Sequence, residues 1–149
     1  MVRINSEGEL PERYREQLKK DDDIVGAAEG EVFKLTVPVK TPNLNEIINK
    51  SKTHWSRYMR MKEEIQEQVE IACAMADVPK FESCKLKLIY VRQNRREDPD
   101  NIVAGKKFII DGLVSYGTLP DDGWGQIKGF QEEWKVGDKP EVIVYIIGG

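Results

Sequence analysis

Apolar side chains alternate with polar ones from Glu31 to Lys40, where Val32, Phe33, Leu35, Val37 and Val39 mark most of the apolar positions. A period of two predicts a strand. From Trp55 to Ala76 the period lengthens. Ile65, Val69, Ala72 and Cys73 fall on one side and Glu63, Glu64, Glu67 and Glu70 on the other, the pattern of an amphipathic helix. Pro79 closes that region. Ser83 to Gln93 reads as a second strand, with Cys84, Leu86, Leu88 and Tyr90 on one face and Lys85, Lys87, Ile89 and Val91 on the other. A further helix is expected between Pro99 and Gly117. Two strands follow, Trp124 to Trp134 and Pro140 to Ile147, with Gly137-Asp138-Lys139 as a hairpin link between them. The order β-α-β-α-β-β predicts one α/β (α+β) sandwich domain over residues 31–149, a mixed sheet with helices packed on one side. Residues 1–30 are polar, with a weak helical segment from Pro11 to Lys20, and read as an extension.

The helix after Pro99 carries unusual chemistry. Asp98 suits the N-cap and Pro99 the first helical position. At about 100° per residue, Asp100, Lys107 and Asp111 fall within roughly 20° of one line. Ile102, Val103, Ile109, Ile110, Leu113 and Val114 form the apolar arc. Lys106 falls inside that arc, and Gly105 is a poor mid-helix residue, so the first turn is expected to be irregular and the regular helix to begin near Lys106. Gly117 is a natural C-cap. Pro120 forbids continuation and leaves Asp121 and Asp122 in a loop.

Clustered carboxylates repel one another and favour a cation among them. If the 121–122 loop folds back to the helix start, Asp98, Asp100 and Asp122 converge. Three hard oxygen donors suit Mg²⁺ or Mn²⁺, whereas zinc prefers His and Cys. A nearby lysine suits an anionic substrate such as a phosphodiester. Each half of the pattern also has a plain structural reading, because Asp-Pro-Asp is an ordinary helix start and Asp-Asp-Gly an ordinary turn.

In order, the chain offers Asp98, Asp100 and Asn101, then Lys107, Asp111 and Leu113, Gly117, and the pair Asp121-Asp122. This resembles the signature of the RusA family of Holliday-junction resolvases, especially the versions carried by phages and prophages. The resemblance runs from about Glu31 to the C-terminus and is strongest between Arg92 and Trp124. It implies that Asp98, Asp100 and Asp122 are metal-binding catalytic acids and that Lys107 is the catalytic lysine. Shorter family members place that lysine one helical turn after the second acid, whereas here it lies seven residues on. Lys106 is therefore a rival, although the helical phase and the spacing to Asp111 favour Lys107. The resemblance also implies a homodimer, for which Phe108, Tyr116, Trp124 and Trp134 are candidate contacts beside their ordinary role in core packing.

Charge sharpens the picture. The net charge of −3 is unlike that of a DNA-binding protein. Residues 7–31, however, hold nine acids against four bases, a net of −5, so the remainder carries about +2 despite its acidic motif. One regulatory reading has these acids covering a basic groove. Lys50, Lys52, Arg57, Arg60 and Lys62 follow one another with no acid in residues 50–62, and His54, Trp55 and Tyr58 lie between them. Cations interleaved with aromatics suit phosphates and exposed bases, and also suit a solvated helix face. Arg92, Arg95 and Arg96 lead into the acidic motif, where they would admit a phosphate or neutralise the acids. Asn43 and Asn45 read as turn formers that could also bond a phosphate or a metal-bound water. Asn101, Asp111 and Asp121 would support the site.

Cys73 and Cys84 are too few for a disulfide scaffold or a Cys-based zinc site and read as buried or semi-buried free thiols. A single histidine, His54, argues against a His-based nucleophile relay. No apolar run approaches the ~18 residues of a membrane span and no signal-peptide pattern opens the chain, so a cytoplasmic protein is expected. The function that these features imply is Mg²⁺-dependent endonucleolytic cleavage of four-way DNA junctions in recombination and repair. The alternatives are a metal-dependent nuclease for other branched DNA such as flaps, a non-catalytic junction-binding protein, and a small interaction protein whose acids only cap helices.

Overall fold

The computed structural model describes residues 30–149; the expected Pro11–Lys20 helix and the extension it belongs to lie outside them. The elements run β1 (Val32–Val37), α1 (Leu44–Thr53), α2 (Trp55–Ala76), β2 (Cys84–Arg92), a short α3 (Pro99–Ile102), a 3-10 turn (Val103–Gly105), α4 (Lys106–Tyr116), β3 (Ile127–Val136) and β4 (Glu141–Gly148). The strands form one mixed sheet in the order β1-β4-β2-β3. β4 is antiparallel to both β1 and β2, and β3 is parallel to β2.

Alternation decides which face is buried. Phe33, Leu35 and Val37 of β1, Leu86, Leu88 and Tyr90 of β2, and Val142, Val144 and Ile146 of β4 join one core. Ile65, Val69 and Cys73 from α2 and Phe108, Ile109 and Leu113 from α4 cover that face. Both cysteines are free and buried, and burial pushes each thiol up to about 11. Among the described residues no helix is long and apolar enough to cross a membrane.

Two expectations change. The segment around Asn43 is not only a turn: it opens α1, with the Asn43 side chain accepting the Glu46 N–H at 2.9 Å. This helix buries no residue completely, and Asn43 marks its start as the N-cap. Lys50 and Lys52 therefore sit on its last turn. The expected β3–β4 hairpin is absent, because β2 lies between those strands. The chain leaves β3 at Val136, crosses the end of β2, where the Gly137 N–H bonds Arg92 O at 2.8 Å, and re-enters as β4. Composition explains the choice. β4 is almost continuously apolar and takes a central place, whereas β3 carries Gln131, Glu132, Glu133 and Lys135 and takes the edge.

α2 and α4 meet where Gly112 faces Val69. A Cβ on Gly112 would lie 2.5 Å from Val69 Cβ. Gly112→Ala should gain about 1 kcal/mol of helix propensity and lose more to overpacking, which costs about 1–3 kcal/mol. Urea titration should show a net loss of up to about 2 kcal/mol; a midpoint raised by the substitution would mean that the helices do not pack this tightly.

Candidate functional site

The site is built at the C-terminal end of β2. Arg92, the last residue of that strand, is buried. Its guanidinium donates from Nη2 to Thr41 O at 2.8 Å and Oγ1 at 3.3 Å, and from Nε to Glu97 Oε1 at 3.1 Å. Glu97 also accepts from Asn43 Nδ2 at 2.8 Å and has Lys40 Nζ at 3.8 Å. Burial alone would raise the Glu97 carboxyl; the Asn43 hydrogen bond and the charges of Arg92 and Lys40 outweigh it and hold the pKa below the ordinary value. The β1–α1 link and the loop after β2 are thus tied through one carboxylate. Arg92, expected at the surface as a DNA contact, is instead a strut of this kind: its side chain is 5% exposed, with Nε and Nη2 bonded and Nη1 buried without a partner.

The next residue inherits that fixed position. Asp98 is extended (φ −73°, ψ 147°) and starts α3, yet its side chain makes no capping bond. Its backbone oxygen accepts the Asn101 and Ile102 N–H groups at 3.0 and 3.1 Å. Four residues later the helix tightens to the 3-10 turn, as the glycine and lysine positions foreshadowed. Gly105 lies against Thr41, and a Cβ there would fall inside the Thr41 side chain. The regular helix resumes at Lys106 and ends on Gly117 in the left-handed conformation.

An open depression of about 300 Å³ lies beside α4. Asp100, Asp111 and Asp122 line it together with Lys106 and Lys107, above Val103, Ala104 and Ile110. The polar stripe anticipated on the helix is therefore joined by Asp122 from the following loop. Asp98 is exposed but does not line this depression, and no group of three His, Cys, Asp or Glu residues among the described ones stands at metal-binding spacing. Donor chemistry still suits a hard cation: Asp100 and Asp122 are exposed, all-oxygen donors with no His or Cys beside them.

The two lysines are not equivalent. Lys106 Nζ binds Glu132 Oε1 at 2.6 Å and lies 4.7 Å from the Phe130 ring centre. Glu132 in turn accepts the Tyr90 hydroxyl at 3.0 Å, and burial followed by the Glu132 charge pushes the Tyr90 phenol upward. Lys107 is more open, with 64% of its side chain exposed, and lies 3.4 Å from Asp111. Lys62 of α2 reaches the same Asp111 oxygen at 3.9 Å.

None of the other candidate cations lines the depression. Lys52, Arg57, Arg60, Arg95 and Arg96 are exposed, while Lys50 is half-buried with Nζ 3.6 Å from Met61 Sδ. Trp55 stacks on Tyr58, centroids 5.2 Å apart, and Tyr58 meets the buried Phe108 edge-on. Asn45 is exposed on the first turn of α1 and Asn101 is half-buried in α3. Asp121 Oδ1 accepts the Asp122 N–H at 2.8 Å, fixing that loop. Sequence reasoning missed Glu97, Thr41 and Glu132. Glu97 was visible as an extra acid in the motif; Thr41 and Glu132 act across the fold and leave no local signal.

No protein-family model and no curated protein sequence matches this chain.

The depressed Glu97 pKa fixes a pH dependence. A carboxylate lowered in the folded state stabilises it above the unfolded pKa, and that contribution disappears as pH falls through the folded value. Glu97→Gln should cost about 2–3 kcal/mol at neutral pH, below the range for a fully buried pair because Glu97 keeps some contact with water. Denaturation from pH 7 down to pH 3 should show the two proteins converging in acid. A gap that stays constant would mean that Glu97 is not the titrating partner of Arg92.

Proposed function

We propose that this protein is a Mg²⁺- or Mn²⁺-dependent endodeoxyribonuclease that cuts branched DNA, four-way junctions in particular, as its resemblance to RusA resolvases implies. The supporting observation is the meeting of Asp100, Asp122 and Lys107 in one open depression, although they come from separate parts of the chain. Capping explains an acid at a helix start and a turn explains an Asp-Asp pair; neither accounts for both beside a lysine. Asp100 and Asp122, with Asp98 at the entrance to α3, would hold the cation. When bound, a divalent cation supplies Lewis-acid stabilisation of phosphate charge.

The chain's own groups do the rest. Lys107 offers a mobile positive charge toward the scissile phosphate, and Asp111 restrains it from one helical turn away. Lys106, held by Glu132, adds fixed positive potential to the same wall. Lys52, Arg57, Arg60, Arg95 and Arg96 extend that potential over exposed surface, where backbone phosphates are bound. Junction resolution needs two paired cuts, and a twofold homodimer in the cytoplasm completes the reading. Of the residues considered for its contacts, Phe108 is core, while Tyr116, Trp124 and Trp134 reach solvent.

Asp100→Asn keeps size and removes one negative donor. With Mg²⁺ and a labelled four-way junction, the native protein should cut, and the variant should still bind but cut at least ~100-fold more slowly, the scale of one lost charge-stabilising group. Cleavage by both at equal rate would move the active site elsewhere; binding without cleavage by the native protein under either cation would leave a junction-binding module. Flap and linear duplex substrates run alongside distinguish a junction enzyme from a broader nuclease.

The lysines separate in a second experiment. Lys107→Ala should abolish most cleavage and leave stability within about 0.5 kcal/mol, as for an exposed site. Lys106→Ala should lower stability by about 1–2 kcal/mol by stranding Glu132. The reverse pattern would make Lys106 the lysine that meets the phosphate.

A further inference from the structure

Trp124 is the most exposed large apolar side chain of the described residues, at 97%. Tryptophan ordinarily hides most of its surface, so this position asks for an occupant. The side chain is not on a slack loop. The Gln126 and Ile127 N–H groups both bond Gly123 O, at 3.1 and 3.0 Å, and the Gly123 N–H bonds Gln126 Oε1 at 3.1 Å. The turn is fastened to the sheet where the Cys84 N–H meets Gln126 O at 2.8 Å. Trp124 therefore stands on an anchored turn, two residues after Asp122, which lines the acidic depression.

We infer that Trp124 is a stacking platform for an unpaired nucleobase beside the acidic depression that Asp122 lines; the inference rests on the branched-DNA reading above. A base is one sugar away from its phosphate, and two residues of chain span at most about 7 Å, so both contacts fall within one or two nucleotides. Paired bases inside a duplex expose edges and not faces. A tryptophan can stack only where a base has left the helical stack, at a branch point, bulge or end. An anchored aromatic next to the acids would thus favour a scissile phosphate at a discontinuity in the duplex. The indole does no chemistry; it selects and positions.

The test is binding without divalent metal, so that it does not depend on turnover. A four-way junction carrying 2-aminopurine at the branch point is compared with linear duplex of the same sequence. The native protein should prefer the junction and change the 2-aminopurine emission. Trp124→Ala should weaken junction binding by about 5- to 100-fold, the range for one lost stacked base, abolish the emission change, and leave duplex affinity and melting temperature unaltered. Trp124→Phe should recover most of the loss. Equal junction affinity for native protein and Trp124→Ala overturns the proposal, as does an equal loss on junction and duplex. A change of native dimer to monomer on sedimentation of Trp124→Ala also overturns it, by making the indole a subunit contact. If the native protein itself shows no preference for the junction, the branched-DNA reading fails first and this one falls with it.

Discussion

The Arg92–Glu97 pair is the constraint on which the candidate site depends. A guanidinium buried at the end of a central strand needs its charge answered and most of its donors used; here Nε and Nη2 are bonded, and Nη1 is buried without a partner. Thr41 supplies the oxygens and Glu97 the charge, so the link after β1 and the loop after β2 must meet at one place. Asn43 then serves two masters: its oxygen caps α1 and its amide holds the other Glu97 oxygen. The acids at 98 and 100 follow directly from that junction. Their backbone is positioned by a network that their own side chains do not enter.

The opposite wall of the site depends on the sheet. Because β4 occupies the centre, β3 is pushed to the edge beside β2 and parallel to it. That placement brings Glu132 next to Tyr90 and under Lys106. Adjacent lysines on one helix are thereby given different work. One is spent in a hydrogen-bonded ion pair over an aromatic ring; its neighbour is left toward solvent, restrained only by an acid one turn on. A cation that is to meet an anionic substrate must keep its charge available, and the second geometry does so.

The same edge leaves Phe130, Trp134 and Val136 about half exposed on the side of the sheet that carries the helices. Trp55 and Trp124 are further large aromatic side chains left exposed. Nucleic acid and apolar partners both select exposed aromatics, and the charges along the chain differ: residues 50–62 around Trp55 hold cations and no acid, whereas Glu132 and Glu133 directly precede Trp134.

Much of this was legible in the residues because its causes are local. Period-two runs specified β1 and β2, period-four spacing specified α2 from Trp55 to Ala76, and Gly105 announced the break before Lys106. Helical phase put Asp100, Lys107 and Asp111 on one stripe, and a short loop was enough to bring Asp122 to it. What the tertiary structure decided involves partners far apart in the chain. The order of strands, and with it the loss of the β3–β4 hairpin, came from competition for the buried centre of the sheet, which apolar β4 wins over polar β3. Arg92 looked like surface charge until Thr41, 51 residues away, closed over it. The fate of Lys106 turned on Glu132, 26 residues on, in a strand whose neighbour no local pattern specifies. Local periodicity records which side of an element is buried; it carries no record of what stands on the other side of the contact.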